Sequence, residues 1–311
     1  MERPRIATVG SIGSLSRVAE PGAAGPSGVR VARFLGADSA RLPEADHARL
    51  PEADSAAGLP SRFDLLESRP LSIALNLALD HAVADSVADG MRPAAVRLWN
   101  WSETAAVIGS SQSLSNEIDV EAAKERGIAL ARRASGGGTM YMDPARAVAY
   151  SVIVPSAALS GLSLRESYAL CDSWVLRSLK EMGVPAFYMP INDIATLDGK
   201  IGGAAQRRLA GGATIHHAVM SWEIETEQLL AVTRLFRPDT GARGVKSAQK
   251  KAVGIRSYVD VAREGIIDAL RRSLARGRTV RKAKYRPDEL IAAQSLAKAK
   301  FADPAWLTRI P

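Results

Sequence analysis

ARRASGGGTMYMD, Ala131–Asp143 of this 311-residue chain, leads two arginines into three consecutive glycines and then into an alternating run. Three adjacent glycines cost an ordered element conformational entropy, and a fold keeps them where the backbone turns sharply or approaches a ligand closely. Such a turn can aim several N–H groups at one anion, and the arginines add fixed positive charge. No Gly-Lys-Ser/Thr follows, so this is not a P-loop. The flanks, 128–132 and 139–142, read as strands, which excludes the strand-to-helix turn of a dinucleotide fingerprint. From the loop alone two readings stand: a hairpin with a flexible tip, and a ligand-binding turn.

Outward from the loop, hydrophobic spacing predicts a helix over Leu71–Val87, capped by Ser68 or Ser72, and a second over Leu164–Gly183. Ala94–Trp101 and Ala105–Ile108 read as two strands around a polar turn at Ser102–Glu103, and Gly109–Asn116 reads as a polar loop. A short helix is expected over Asp119–Gly127 and a strongly apolar strand over Ala147–Pro155. Short strands are expected at Phe187–Met189, Ile194–Leu197, Lys200–Gln206 and Ala213–Trp222. Helices follow over Glu225–Leu235, Val261–Arg278 and Pro287–Lys300, with a basic turn at Lys246–Val253 and an extended piece at Ser257–Asp260 between them. Strands and helices interleave without a regular repeat. That pattern favours an α/β or α+β domain with a mixed sheet and flanking helices over a doubly wound parallel one.

Residues 1–60 are rich in Ala, Gly, Ser and Pro, balance seven Lys/Arg against seven Asp/Glu, and repeat ARLPEAD at Ala40–Asp46 and Ala48–Asp54. They read as a disordered or loosely ordered extension with a brief strand near Val29–Leu35, and 61–311 as one catalytic-sized domain. The charge excess is +8, and Arg271–Pro311, with eleven Lys/Arg against three Asp/Glu, accounts for all of it. Such a segment fits an acidic partner or a solvated basic helix face; Tyr285, Phe301 and Trp306 lie too far apart to make a base-stacking surface, which disfavours nucleic acid. No apolar run reaches membrane-spanning length, and the N-terminus lacks the apolar core of a secretory signal. The single cysteine, Cys171, excludes an internal disulfide framework and fits a reducing, cytoplasmic compartment. It lies in a helical pattern with no His or Asn nearby in sequence, so it reads as a packed thiol and not a nucleophile.

Three further clusters carry chemistry: Asn192-Asp193, the glycine-flanked lysine of Gly199–Arg207, and His216-His217. Adjacent histidines on a strand face opposite ways and make a poor metal pair. In this order the clusters resemble the lipoate–protein ligase A family of the biotin/lipoate ligase superfamily, whose pattern is Arg-Arg-x-Ser-Gly-Gly-Gly-x-x-Tyr-x-Asp, Asn-Asp, Gly-Lys-x-x-Gly-x-Ala-x-Arg and His-His. Asn76-Leu77-Ala78, Trp99, Gly109, Gln112 and 250–257 (KKAVGIRS) also look like family positions. The resemblance runs from Leu71 to the C-terminus. The chain departs from it at Met142, where the family usually has His, at Ala218 in place of Gly and at Ser110 in place of Arg.

The resemblance implies a catalytic core similar to class II aminoacyl-tRNA synthetases and an ATP-dependent lipoate–protein ligase, which activates lipoate as lipoyl-AMP and passes it to a lysine of an acceptor domain. It implies Lys200 as the catalytic cation between the α-phosphate and the acyl oxygen. Arg133, Ser135, Gly136, Gly137, Gly138, Tyr141, Asp143, Asn192, Asp193, Gly203 and Ala205 join it in binding ATP and the adenylate, with Asp193 as a candidate Mg²⁺ ligand. Trp99, Met140, Met142, Arg207, Ile215 and His217 are the expected acyl pocket. The implied acceptors are lipoyl domains of 2-oxoacid dehydrogenase acyltransferase subunits or the glycine-cleavage H protein, steered by the basic C-terminal region. The small accessory domain of the family looks absent, and a separate chain supplies it in some relatives. Two rivals stand beside the ligase. An octanoyl or lipoyl transferase of the same superfamily resembles thiol-mediated chemistry, which would want a cysteine near Lys200. A non-catalytic lipoyl-domain-binding protein would keep only the fold.

Overall fold

The computed structural model describes residues 58–311, so the expectations for the N-terminal extension and the Val29–Leu35 strand lie outside the described residues. Its elements are β1 (Arg62–Glu67), α1 (Ile73–Ala88), β2 (Ala94–Leu98), β3 (Ala105–Ile108), α2 (Leu114–Glu117), α3 (Val120–Glu125), β4 (Ala129–Arg132), β5 (Met140–Met142) and β6 (Ala147–Pro155). There follow α4 (Leu164–Glu181), β7 (Phe187–Met189), β8 (Asp193–Thr196), β9 (Gly199–Arg208), β10 (Ala213–Ser221), α5 (Thr226–Val232), α6 (Arg263–Ala275), β11 (Thr279–Ala283), α7 (Pro287–Leu296) and α8 (Pro304–Thr308).

The large sheet has the order β11-β1-β2-β6-β10-β9-β8-β7. β1 pairs in parallel with β11 and β2, and every later pair is antiparallel, so the sheet is mixed as expected. The sequence AVAYSVIVP of β6 is apolar apart from Ser151 and the Tyr150 hydroxyl because both its faces are covered. Val148, Tyr150, Val152 and Val154 pack with α4 and α6. Ala149 and Ile153 point the other way, into the clusters built with α1. Ser72 caps α1 by accepting the Leu75 N–H, and Ser163 with Glu166 forms a capping box on α4.

The polar turn at Ser102–Glu103 joins strands of different sheets: β2 lies in the large sheet, and β3 is the centre of a separate sheet ordered β4-β3-β5. Two expectations need correction. The glycine stretch is no hairpin tip, since β4 and β5 both pair with β3, one parallel and one antiparallel. The stretch therefore crosses from one side of β3 to the other, and the large cavity described below opens at that crossing. The polar loop at Gly109–Asn116 gives way to the short α2, whose cap Ser113 accepts the Asn116 N–H. Among the described residues no helix is long and apolar enough to cross a membrane.

Candidate functional site

A cavity of about 360 Å³, a size suited to a small ligand, lies between the small sheet, the glycine stretch and strands β9 and β10. Part of its wall is apolar: Leu77, Trp99, Val107, Met140, Met142 and Ala149. Trp99 is fixed by donating its ring N–H to Ser151 Oγ at 2.7 Å, and its ring meets that of His217 edge-on at 6.2 Å. Such a wall takes a hydrocarbon chain.

The polar part of the wall centres on Asp193, which is 2% exposed. Lys200 Nζ lies 2.8 Å from its Oδ1, and Lys250 Nζ donates to its Oδ2. β8 and β9 shift register between Ile194 and Ala195, which sets an extra residue into β9 beside Lys200. An irregularity of this kind re-aims a side chain. Lys200 stays opposite Ala195 of β8, and on its other side its backbone pairs with the segment 251–253, its N–H donating to Lys251 O at 2.8 Å and its carbonyl accepting from Val253 N at 2.9 Å. Gly203, opposite Asp193, keeps the space clear, since a Cβ there would sit 2.5 Å from Lys200 Nζ.

The glycine stretch is held by buried cations. Arg133 donates to Gly136 O at 2.6 Å, Gly138 O at 2.8 Å and Val107 O at 3.1 Å, and burial pulls its guanidinium down to about 10, still charged at neutral pH. Arg132 donates to the carbonyls of Gly109, Leu307 and Ile310, tying the C-terminal turn to the loop. Gly137 adopts φ +90° and brings its carbonyl against Gly109, where a Cβ would lie 2.1 Å from that oxygen. The obstacle is the Gly137 main chain, so Gly109→Ala must displace the loop. The expected result is a loss of about 1–3 kcal/mol in stability, read as a lower melting temperature, and a fall in ligand turnover on the order of 100-fold. Gly136→Ala is the control: a Cβ there meets nothing within 4 Å, and near-native behaviour is expected.

A second buried chain of polar groups braces the loop from below. His217 Nδ1 lies 3.0 Å from Asp80 Oδ2, and its Nε2 lies 2.6 Å from Ser135 Oγ. Burial alone would raise the Asp80 carboxyl, but the Arg97 guanidinium and the His217 hydrogen bond hold it below its usual range. An ionised carboxylate only accepts, so His217 Nδ1–H donates to Asp80 and Nε2 accepts from the Ser135 hydroxyl. The order is that of a Ser–His–Asp relay. Ser135 is 3% exposed and does not line the cavity, and Asp80 is already bound by Arg97, so the chain works as a brace between loop, β10 and α1.

This arrangement sets a pH dependence. Burial lowers His217, and burial with the nearby Lys300 and Arg207 charges lowers His81 to about 4. The unfolded chain therefore binds more protons below its histidine value near 6.5, and stability falls as pH drops from about 6.5 toward 4. His81 alone contributes on the order of 2–3 kcal/mol to that loss. Melting temperatures across this range should decline, and His81→Gln should flatten part of the slope.

Of the residues singled out in the sequence, Trp99, Arg133, Gly137, Gly138, Met140, Tyr141 and Met142 line the cavity, as do Asn192, Asp193, Lys200, Gly203, Ala205 and His217. Five do not. Ser135 is occupied by His217, Gly136 is exposed, and Asp143 caps the turn at Ala145 and pairs with Arg146. Arg207 is exposed and donates to Ala134 O at 2.7 Å. Ile215 shares the His217 face of β10, but packs with Leu66, Val83 and Ile153 beyond the cavity. Two of the lining residues already have partners within the chain. Asn192 uses its amide to donate to Ala204 O at 2.7 Å, stapling β8 to β9. Asp193 faces two ammonium groups, a donor set that does not fit a divalent cation, and no cluster of three His, Cys, Asp or Glu suited to a metal occurs among the described residues.

Part of the basic C-terminal excess is paired within the chain: Arg271 with Glu67, Arg276 with Glu181 and Arg281 with Asp64. Cys171 is fully buried in α4, and burial with the Asp172 charge pushes its thiol well above the ordinary range. It lies outside the cavity. Ser247 and Asp80 belong to none of the motifs, and Lys250 enters only as the first residue of the family-like segment 250–257, with no role assigned to it. The signal for Ser247 is present only as part of a basic turn, and for Asp80 only as a polar residue within an apolar helix.

The geometry agrees with comparisons against known proteins. Residues 72–275 match the family model described as lipoyl protein ligase A/B catalytic domain. An octanoyltransferase LipM of Lysinibacillus sphaericus is 25% identical over 269 residues, covering 78% of this chain and 96% of that protein. Lipoate-protein ligase A subunit 1 of Thermoplasma acidophilum is 30% identical over 231 residues, covering 70% of this chain and 83% of that protein. The structure of a bi-partite lipoate protein ligase with its E2 lipoyl domain, also from T. acidophilum, superposes with a TM-score of 0.66 at 25% identity, over 81% of this chain and 98% of that one. The match to the family model spans most of the chain and includes every lysine, glycine and aspartate of the cavity discussed above, and the chain belongs to the lipoyl protein ligase A/B catalytic domain family.

Proposed function

We propose that this chain transfers an octanoyl or lipoyl group to a lysine of an acceptor lipoyl domain, with Lys200 stabilising the oxygen that becomes negative as the amide forms. The observation that carries this reading is an apolar cavity whose polar wall holds Lys200 on the Asp193 carboxylate. The resemblance read from the sequence put an ATP-dependent ligase first. The octanoyltransferases, matched along nearly their whole length, favour the transferase instead. The donor would then be an octanoyl thioester. The acceptor amine attacks the thioester carbon, the C–N bond forms, the C–S bond breaks, and the amine proton leaves with the thiol. With Cys171 buried away from the cavity, this chain offers no thiol to carry the acyl group, and the amine attacks directly.

That same missing thiol, together with the 30% identical ligase subunit, favours ATP-dependent activation as a second reading. There the carboxylate displaces pyrophosphate from ATP, and the amine then displaces AMP. ATP would bring Mg²⁺ with it, but Asp193 as arranged does not serve as its ligand. A glycine-cleavage H protein is an alternative acceptor, and the similarity to one chain of a bi-partite ligase supports testing a separate accessory chain.

The test is mass spectrometry of the acceptor after incubation with the protein and either octanoyl-carrier protein or ATP, Mg²⁺ and lipoate. An octanoyl gain with the carrier alone supports the transferase. A lipoyl gain only with ATP supports the ligase. No gain with either donor, with and without an accessory chain, rejects both in favour of a binding protein.

A further inference from the structure

We infer that Lys250 is a second ligand-binding cation of this cavity: with Lys200 it forms a two-ammonium seat, oriented by Asp193, for the anionic oxygens at the head of an acyl ligand. The inference deepens the proposed function and rests on that reading of the cavity.

The position of Lys250 is dictated by the fold. It lies between two anchors of the segment 246–253. On one side Lys251 and Val253 hydrogen-bond the main chain of Lys200 at 2.8 and 2.9 Å. On the other, Ser247 donates its N–H to Glu117 Oε1 at 2.8 Å, and its hydroxyl oxygen accepts from Thr139 N at 2.8 Å and from Gln112 Nε2 at 2.9 Å. A lysine on a free surface loop would pay rotamer entropy to hold one geometry; here the backbone on both sides is fixed, and the ammonium is delivered to Asp193 Oδ2.

Charge gives the second argument. Asp193 is the one carboxylate lining the cavity among the described residues, and Arg133, Lys200, Lys246 and Lys250 line it too. Arg133 is spent on loop carbonyls, and Lys246 Nζ donates to Arg237 O at 3.2 Å. Lys200 and Lys250 share a single buried carboxylate, which leaves one positive charge uncompensated beside an apolar wall. Their side chains remain 27% and 42% exposed, so both ammoniums keep donor capacity toward the cavity. An anion placed there is attracted in a medium less polar than water. A carboxylate or a phosphoryl group has the oxygens to accept from both.

Calorimetric titration of the full chain with octanoate, 1-octanol and octanoyl sulfamoyladenosine tests this. The wild type should bind octanoate at least tenfold more tightly than octanol. Lys250→Met should lose about tenfold for a charged ligand and nothing for octanol, and Lys250→Arg should recover part of the loss. Loss with octanoate and the sulfamoyl compound together assigns the acyl oxygen to Lys250. Loss with the sulfamoyl compound alone assigns the phosphoryl oxygens. Lys251→Met, whose side chain does not line the cavity, should bind like wild type. Unchanged affinity of Lys250→Met for both charged ligands, an equal loss for octanol, or a wild type that does not prefer octanoate overturns the inference. A wild type that prefers octanoate and loses this preference in Lys250→Met, yet modifies no acceptor, retains the anion seat and rejects the transfer reading instead.

Discussion

Lys200→Met lowers acyl transfer by about 10²–10³-fold with the fold intact, the size expected when one preorganised donor to a developing oxyanion is removed. The chemistry passes through a tetrahedral carbon whose oxygen carries the charge, whether the leaving group is a thiol or AMP. The β9 irregularity, backbone pairing with 251–253 and the Asp193 carboxylate fix the position of Lys200, and in the proposed reaction that position would serve this oxygen. Stability should hardly change, because the side chain is 27% exposed and Asp193 keeps Lys250 as its partner. Lys200→Arg should recover little, since a planar guanidinium cannot occupy the gap above Gly203 that a compact ammonium fills. Initial rates and thermal melts on the same preparations separate the outcomes. A rate within a factor of a few of wild type removes Lys200 from the reaction. A large fall in melting temperature turns the lysine into a structural element.

The site was more legible than the fold. Lys200, Asn192-Asp193 and the glycine stretch stand on separate motifs, and the structure brings them to one cavity because each motif exists to leave space or place a charge there. Strand partners were not legible. Periodicity marks β2, β3, β4 and β5 as extended but says nothing about which strand each one meets, and the hairpin reading of the glycine stretch failed on that account. β1 and β11 were missed for different reasons. RFDLLE directly follows a polar extension. TVRKA is an edge strand whose exposed Arg281 and Lys282 hide any alternation, the usual protection of a sheet edge. The role of Lys250 was not legible, because its partner Asp193 is 57 residues away and the pairing depends on a segment without regular structure. Ile215 was misjudged because alternation gives the face of a strand and not the distance along it at which α1 closes the cavity.

Arg97→Met should cost the protein about 3–5 kcal/mol, the loss expected when one partner of a buried ion pair is removed and the other stays behind. Arg97 is 0% exposed. It pairs with Asp80 and donates to Asn76 O at 2.9 Å, Asn76 Oδ1 at 3.1 Å and the Tyr285 hydroxyl at 3.0 Å. Burial opposes its charge, but Tyr285 and Asp80 outweigh burial and raise the guanidinium. Without it, Asp80 keeps only Ser151 and His217. The carboxyl then rises, the folded state of the variant binds a proton that the unfolded chain has already released, and the variant regains stability as pH falls below neutral. That slope is opposite in sign to the one the buried histidines impose on the wild type. Arg97→Met combined with Asp80→Asn should recover much of the loss, because it removes the orphaned charge. Denaturant unfolding at two pH values, with the two single variants and the double, reads all of this at once. A loss below about 1 kcal/mol for Arg97→Met, or a double variant no better than the single, would mean that the Asp80 charge is not what the core is built around. If the cycle closes as expected, the consequence reaches the cavity: Asp80 links Arg97 to His217, His217 holds Ser135, and the glycine stretch that shapes the ligand wall is positioned by an ion pair buried beneath it.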